Sequence, residues 1–339
     1  MHSRYLLNPE FPSQIILALA LTPLACSAFV MSRTALLFAG QGAQVVGMGK
    51  DLAEKHPSAQ ALFNRANETL HYDLTQVCFE GPEDALTQTE NAQPGIFLVS
   101  WAAFELLKEQ VPNLSFEATA GLSLGEFTAL TAAGVMSFED GLKVVRQRGR
   151  FMQEACDATE GGMAAVIGLD ESTTREVCDA ADVELANLNC PGQLVISGAA
   201  TGIEKACELA KEKGVKRALP LTVAGAYHSR LMESASPKLE AALREVPLNL
   251  PNVPVISNVT ASPHATAGEI LQRLVEQVTS SVLWEASIRH LMDEGFTRFI
   301  ELGPGNALTG FMRRIDREIE ILNVADSESL EKTVAALST

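Results

Sequence analysis

From Ala35 onward, short apolar runs with strand character alternate with stretches of helical periodicity, and this alternation restricts the fold more than any other feature of the chain. Strands separated by helices pair side by side in a mostly parallel sheet, and the helices cover its faces. The strand candidates are "ALLFAG" (35–40), "FEATAGLS" (116–123), "VPVISN" (253–258), "RFIEL" (298–302) and "IEILNV" (319–324). Helices are predicted over Phe138 to Ala155 and over Pro94 to Glu109. The second is apolar almost all round from Ile96 to Leu107, the pattern of a buried helix.

Between about Met163 and Leu221 the rhythm changes. The order becomes strand "MAAVIGL", helix Glu171 to Ala181, strands "VELANLN" and "QLVISG", helix Thr201 to Lys213, and strand "VKRALPL". This β-α-β-β-α-β order is the ferredoxin-like unit, with Gly214 as the C-cap of its second helix. The chain therefore reads as an α/β body, residues 31–158 and 222–339, carrying an inserted small subdomain, residues 159–221. The cleft between them is the natural ligand site.

Residues 1–30 read as a non-core N-terminal extension. The run "IILALALTPLACSAFV" has the apolar core and small-residue end of a weak signal peptide, but Glu10 precedes it, Arg4 is nearly its only positive charge and Pro23 interrupts it. It is too short and broken to span a bilayer. The reading preferred here is a mis-assigned upstream start, with Met31 beginning the folded protein.

The net charge of −16 argues against a nucleic-acid partner, since phosphate binding needs a basic surface. Local basic clusters do occur, at Arg146/Arg148/Arg150, Lys211/Lys213/Lys216/Arg217 and Arg313/Arg314/Arg317. Six cysteines (Cys26, Cys78, Cys156, Cys178, Cys190, Cys207) lie scattered without paired spacing, as expected for reduced thiols in a cytoplasmic compartment. The six histidines form no metal-binding pattern, so no metal is expected.

One hydroxyl stands out. In "ATAGLSLGEFTAL" the pattern Gly121, Ser123, Gly125 matches a nucleophile elbow, a sharp strand-to-helix turn that lifts the serine oxygen out of the backbone. By itself the pentapeptide is equally compatible with a Gly-rich connection containing a serine. Such a serine needs a general base. The best candidate is His228 in "VAGAYHSRLM", where the chain leaves the insert, although a structural role suits an isolated histidine as well. His56, His71, His264 and His290 are expected at the surface or at interfaces. In "LLFAGQGAQVVGMG" a strand, a glycine turn and a helix start would present the backbone N–H of Gln41 beside the serine, forming with that of Leu124 a two-donor oxyanion hole. A nucleotide phosphate loop is ruled out there: Gly42 and Gly47 have its spacing, but Met48 replaces the lysine and Gly49 the Ser/Thr.

The segments "FAGQGAQ", "AGLSLGEFTAL", "RQRGRFMQEA", "NLNCPGQLVISG", "AYHSRLM", "ISNVTA" and "ELGPGNALTGF" follow one another in this order. Together, from Met31 to the C-terminus, they resemble the malonyl-CoA:acyl-carrier-protein transacylases of fatty-acid synthesis. The resemblance implies an α/β-hydrolase-like large subdomain with a ferredoxin-like insert. It implies Ser123 as nucleophile, His228 as general base, and Gln41 and Leu124 as oxyanion donors. Arg148 takes the position that grips the free malonyl carboxylate, as suits a planar fork of donors; without the family it reads as a helix-surface cation. Gln277 matches the position whose main-chain carbonyl orients the histidine, so a dyad replaces the full triad. Gln93, Asn187 and Asn189 match polar positions near the acyl pocket. The family usually has histidine where this chain has Leu122, a change that leaves the nucleophile intact and alters packing beside the pocket.

The expected reaction is ping-pong transfer of malonyl from malonyl-CoA to the phosphopantetheine thiol of acyl carrier protein. It needs no cofactor on this chain, which is expected to be a monomer without stable membrane association. The carrier is acidic in this pathway, so the basic cluster closest to the cleft should dock it. The alternative is a serine esterase or thioesterase of α/β-hydrolase type, which would want a carboxylate partner and has no use for a buried arginine. A catalytically idle carrier or acyl-CoA binding module is disfavoured by the joint presence of serine, histidine and arginine.

Overall fold

The structure is a computed structural model that describes residues 32–338; the reading of residues 1–30 and Cys26 lie outside them. Among the described residues, eight strands divide between two sheets. Strands β1 (Arg33–Phe38), β2 (Ala118–Gly121), β7 (Phe296–Leu302) and β8 (Glu320–Val324) form a parallel sheet in the order β2-β1-β7-β8. β1 is buried from Thr34 to Phe38. Leu36 and Phe38 enter one apolar cluster, while Ala35 and Leu37 enter another. Helices on both faces require such a continuous apolar run, and they account for the fully apolar stretch "ALLF".

The second sheet contains β3 (Gly161–Ile167), β4 (Glu184–Cys190), β5 (Gln193–Ala199) and β6 (Arg217–Pro220), all antiparallel, in the order β4-β5-β3-β6. That is the ferredoxin-like arrangement, and all four strands fall within 159–221. Helices Glu171–Ala181 and Ala200–Glu212 cover one face, burying Val177, Ile203 and Ala206 against Val166 and Ile196. The described residues pack as one unit containing both sheets.

Three expectations shift. The segment "VPVISN" does not become a strand: its backbone pairs with β2 through an isolated Thr119–Val255 bridge. Pro254 has no N–H to extend a ladder, although its carbonyl accepts the Thr119 N–H at 2.9 Å. β2 is shorter than expected because the backbone leaves extended space at Ser123. The long buried helix runs Thr89–Gln110 and includes Pro94 in its second turn, rather than starting there. The added turn places Thr89 and Gln93 one turn apart on the same face.

Candidate active site

Phe38 and Gly121 stand opposite one another at the carboxyl ends of β1 and β2, so the two exiting loops enter the same space. Ligands of open α/β sheets bind at such strand ends. After β2 the chain turns sharply: Ser123 has φ 51° and ψ −103°, and the helix Leu124–Ala132 starts at the next residue. Only close packing holds a non-glycine residue in that region. A Cβ on Gly121 would lie 2.0 Å from the Gly125 backbone, and one on Gly125 would lie 2.2 Å from the Phe38 carbonyl oxygen. The G-x-S-x-G spacing thus follows from how closely the elbow helix approaches the strands. Asn258 fastens the turn, accepting the Ser123 N–H at 2.6 Å and donating to the Gly121 carbonyl at 2.8 Å.

His228 enters from the segment after β6, buried and with φ 58°. Its Nδ1–H donates to the main-chain carbonyl of Gln277 at 2.9 Å. The remaining lone pair, on Nε2, faces the Ser123 hydroxyl at 2.8 Å. Burial first, and then the nearby Arg148 charge, push the imidazole down to about 4. It is therefore a neutral base at physiological pH, with its tautomer set by a carbonyl instead of an acid.

Arg148 lies on the helix Phe138–Asp157 and is 1% exposed, so the helix-surface reading of this residue is corrected. The helix turns this face inward, laying the guanidinium 5.3 Å from the Phe127 ring centre. Nη1 donates to Gln93 Oε1 at 2.6 Å, and Nη2 donates to Gln277 Oε1 at 2.9 Å and to Ser123 Oγ at 3.1 Å. Its partners are amides and a hydroxyl; among the described residues no carboxylate pairs with it. Burial lowers it to about 10, which leaves it charged at neutral pH.

Gln41 reaches the site from β1. Its side-chain Nε2 donates to the Tyr227 hydroxyl at 3.2 Å, and its Oε1 accepts from Gln93 at 3.3 Å. The backbone N–H groups of Gln41 and Leu124 have no acceptor among the described residues. The Leu124 group opens a helix whose N-terminus favours negative charge.

A cavity of about 600 Å³ opens between the sheets, with Gln41, Leu122, Ser123 and His228 on one side and Asn187 and Asn189 of β4 on the other. Asn189 Oδ1 is buried without a partner among the described residues. Gln93 does not line this cavity: it is fully buried behind the wall, holding Arg148 and Gln41. No group of three His, Cys, Asp or Glu among the described residues is placed to hold a metal ion.

Several residues that no sequence pattern singles out also lie at the site. Thr89 and Tyr227 bond to each other beside Gln41. Glu126 is fully buried beneath the elbow, and its signal was a lone acid in the apolar run "LGEFTAL". His264, expected at a surface or interface, is instead buried, with Nε2 donating to Glu126 at 2.8 Å. It follows a turn, where no periodicity reports burial.

Residues 35–331 match the family model described as acyl transferase domain. A Bacillus subtilis malonyl CoA-acyl carrier protein transacylase is 47% identical over 312 residues, covering 91% of this chain and 98% of that protein. An acyl-carrier-protein-S-malonyltransferase structure from Bartonella henselae superposes with a TM-score of 0.86 at 39% identity, over 91% of this chain and 100% of that one. A type II PKS acyl-carrier protein in complex with its malonyl-transacylase gives a TM-score of 0.87 at 35% identity, over 90% of this chain and 100% of that one.

Proposed function

This chain belongs to the acyl transferase family, alongside the malonyl CoA-acyl carrier protein transacylases, and from that premise we infer that it moves malonyl from malonyl-CoA to acyl carrier protein through an ester on Ser123. The observation that carries the residue assignment is a single oxygen: Ser123 Oγ lies within hydrogen-bond distance of both a neutral imidazole and a buried guanidinium.

His228 Nε2 takes the Ser123 proton as Oγ attacks the thioester carbonyl. Negative charge on the carbonyl oxygen meets the N–H groups of Gln41 and Leu124; removing one such donor costs about 10²–10³ in rate in other enzymes. His228 then returns the proton to the departing CoA sulfur, leaving malonyl-serine. The carrier's phosphopantetheine thiol attacks this ester with His228 again moving the proton, and the scheme supplies fatty-acid synthesis. Arg148 turns its fork toward the free carboxylate of malonyl, a bidentate match that acetyl lacks. Gln93 and the Gln277 side chain hold the fork in place, while Asn187 and Asn189 offer polar contacts to the acyl-pantetheine arm. No step draws on a cofactor bound to this chain.

The wider setting is part of the same reading: a monomer in the cytoplasm, without nucleic-acid partners. All five described cysteines are free and buried. No helix among the described residues is long and apolar enough to cross a membrane. Of the basic clusters, Arg313/Arg314/Arg317 continues the helix Ala307–Ile315, whose Ala307, Leu308 and Phe311 line the cavity, and we assign the acidic carrier to that face.

Incubation with malonyl-CoA followed by peptide mass mapping is expected to place one malonyl group on Ser123, transferable to pantetheine thiol. Ser123→Ala should carry none. An adduct persisting in that variant would refute the nucleophile, and release to water in preference to thiol would favour the esterase.

A further inference from the structure

The guanidinium assigned to the malonyl carboxylate has no acid beside it, yet an acid lies one amide away. Glu126 is fully buried in the first turn of the elbow helix. Its Oε2 accepts from Gln277 Nε2 at 2.7 Å and from the Asn258 N–H at 3.0 Å, while its Oε1 accepts from His264 Nε2 at 2.8 Å. The same Gln277 amide turns its oxygen toward Arg148. Carboxylate, amide and guanidinium thus follow in line, all shielded from water. Buried charges persist only when paired and hydrogen-bonded.

We propose that Glu126 is the resting counterion of Arg148: it holds the guanidinium charged and in place while the site is empty, and the intervening Gln277 amide keeps the fork open for a substrate carboxylate. The proposal rests on the assignment of Arg148 to the malonyl carboxylate. Burial draws the Arg148 charge down, and Glu126 is the foremost influence opposing it. The pairing carries a signed consequence. When malonyl binds, two anions share one guanidinium, so Glu126 weakens the grip on malonyl that Arg148 alone would have. A Glu126 that merely braced the elbow would act the other way, its loss weakening all acyl donors alike.

Glu126→Gln keeps an acceptor oxygen for Gln277 and Asn258 but removes the charge. The melting temperature of the empty enzyme should fall. The KM for malonyl-CoA should drop about tenfold, the scale of one charge placed a few ångströms away, with the KM for acetyl-CoA unchanged. Malonate should raise the melting temperature of this variant more than that of the parent. Glu126→Asp keeps the charge and should keep the parental malonyl-to-acetyl ratio. A malonyl-CoA KM that stays level or rises in Glu126→Gln overturns the proposal. If that variant does not fold, Glu126→Gln combined with Arg148→Leu removes both charges and should recover folding; failure of the double variant also overturns it. Arg148→Leu alone separates the two readings: equal losses of malonyl and acetyl loading would remove the carboxylate role, while the stability comparison still reports whether the charges are coupled.

Discussion

At the scale of single residues, the proposed mechanism makes the protonation of His228 decide when the serine can react. The unfolded imidazole titrates near 6.5, and the folded one near about 4, because burial and Arg148 both disfavour its charge. A protonated ring cannot accept from Ser123, so malonyl loading should hold level from pH 7 to about 5 and fall by half near pH 4. The stability consequence has the same sign: between the two values the unfolded chain binds the extra proton, so this contribution is complete above about 6.5 and lost as pH falls through about 4. A pH series of single-turnover loading checks this, and a loss centred near 6.5 would contradict it. Arg148→Leu removes the second cause and should move the midpoint upward.

At the scale of elements, the elbow is a packing solution before it is a chemical one. Gly125 permits the helix Leu124–Ala132 to rest on the β1 carbonyls, and a methyl there has nowhere to go. Gly125→Ala should destabilise the fold by about 1–3 kcal/mol, the usual cost of overpacking, and reduce loading with it. Gly310, inside the helix Ala307–Ile315, has nothing within 4 Å of a built Cβ. Gly310→Ala should therefore stabilise by about 0.5–1 kcal/mol. Urea unfolding of the two variants separates steric fit from helix propensity; equal effects would show that the close approach at Gly125 does not govern the turn.

At the scale of the molecule, the parallel sheet carries the serine elbow, the segment leaving the antiparallel sheet brings His228, and β4 forms the opposite wall, so the cavity needs both sheets. Part of its lining comes from an arginine-bearing helix on a chain whose net charge is −16. Such a local patch steers an acidic carrier against the overall field. All three arginines are exposed, and Arg314 is tied to Gln193 and the Pro191 carbonyl. Arg313→Glu with Arg317→Glu should raise the KM for acyl carrier protein about tenfold at low salt and flatten its salt dependence. Loading from malonyl-pantetheine, which lacks the carrier, should not change. Transfer kinetics at two ionic strengths decide the matter, and an unaltered carrier KM would move docking to another face.

Much of this is legible in the amino-acid sequence. Period-2 and period-3.6 patterns report which side of a segment meets the core, so the strand-helix alternation, the β-α-β-β-α-β insert and the buried helix around Phe97 could be read along the chain. The glycines around Ser123 were legible for a related reason: a backbone that must pass another at van der Waals distance excludes every side chain, and that exclusion is written locally. Arg148, Glu126 and His264 were another matter. Their partners arrive from helices and loops more than a hundred residues apart in some cases, and although helical spacing sets Arg148 on the same stripe as Gly141, Val145 and Met152, nothing at the residue itself records what it meets there. An arginine on the inward stripe of its helix becomes a buried fork only once Gln93, Gln277 and Ser123 converge on it. The amino-acid order determined the architecture and the turn that lifts the hydroxyl, because those are set by local sterics and hydrophobic periodicity. Tertiary packing decided the charges, tautomers and partners at the site, because electrostatic environment is a property of assembled neighbours.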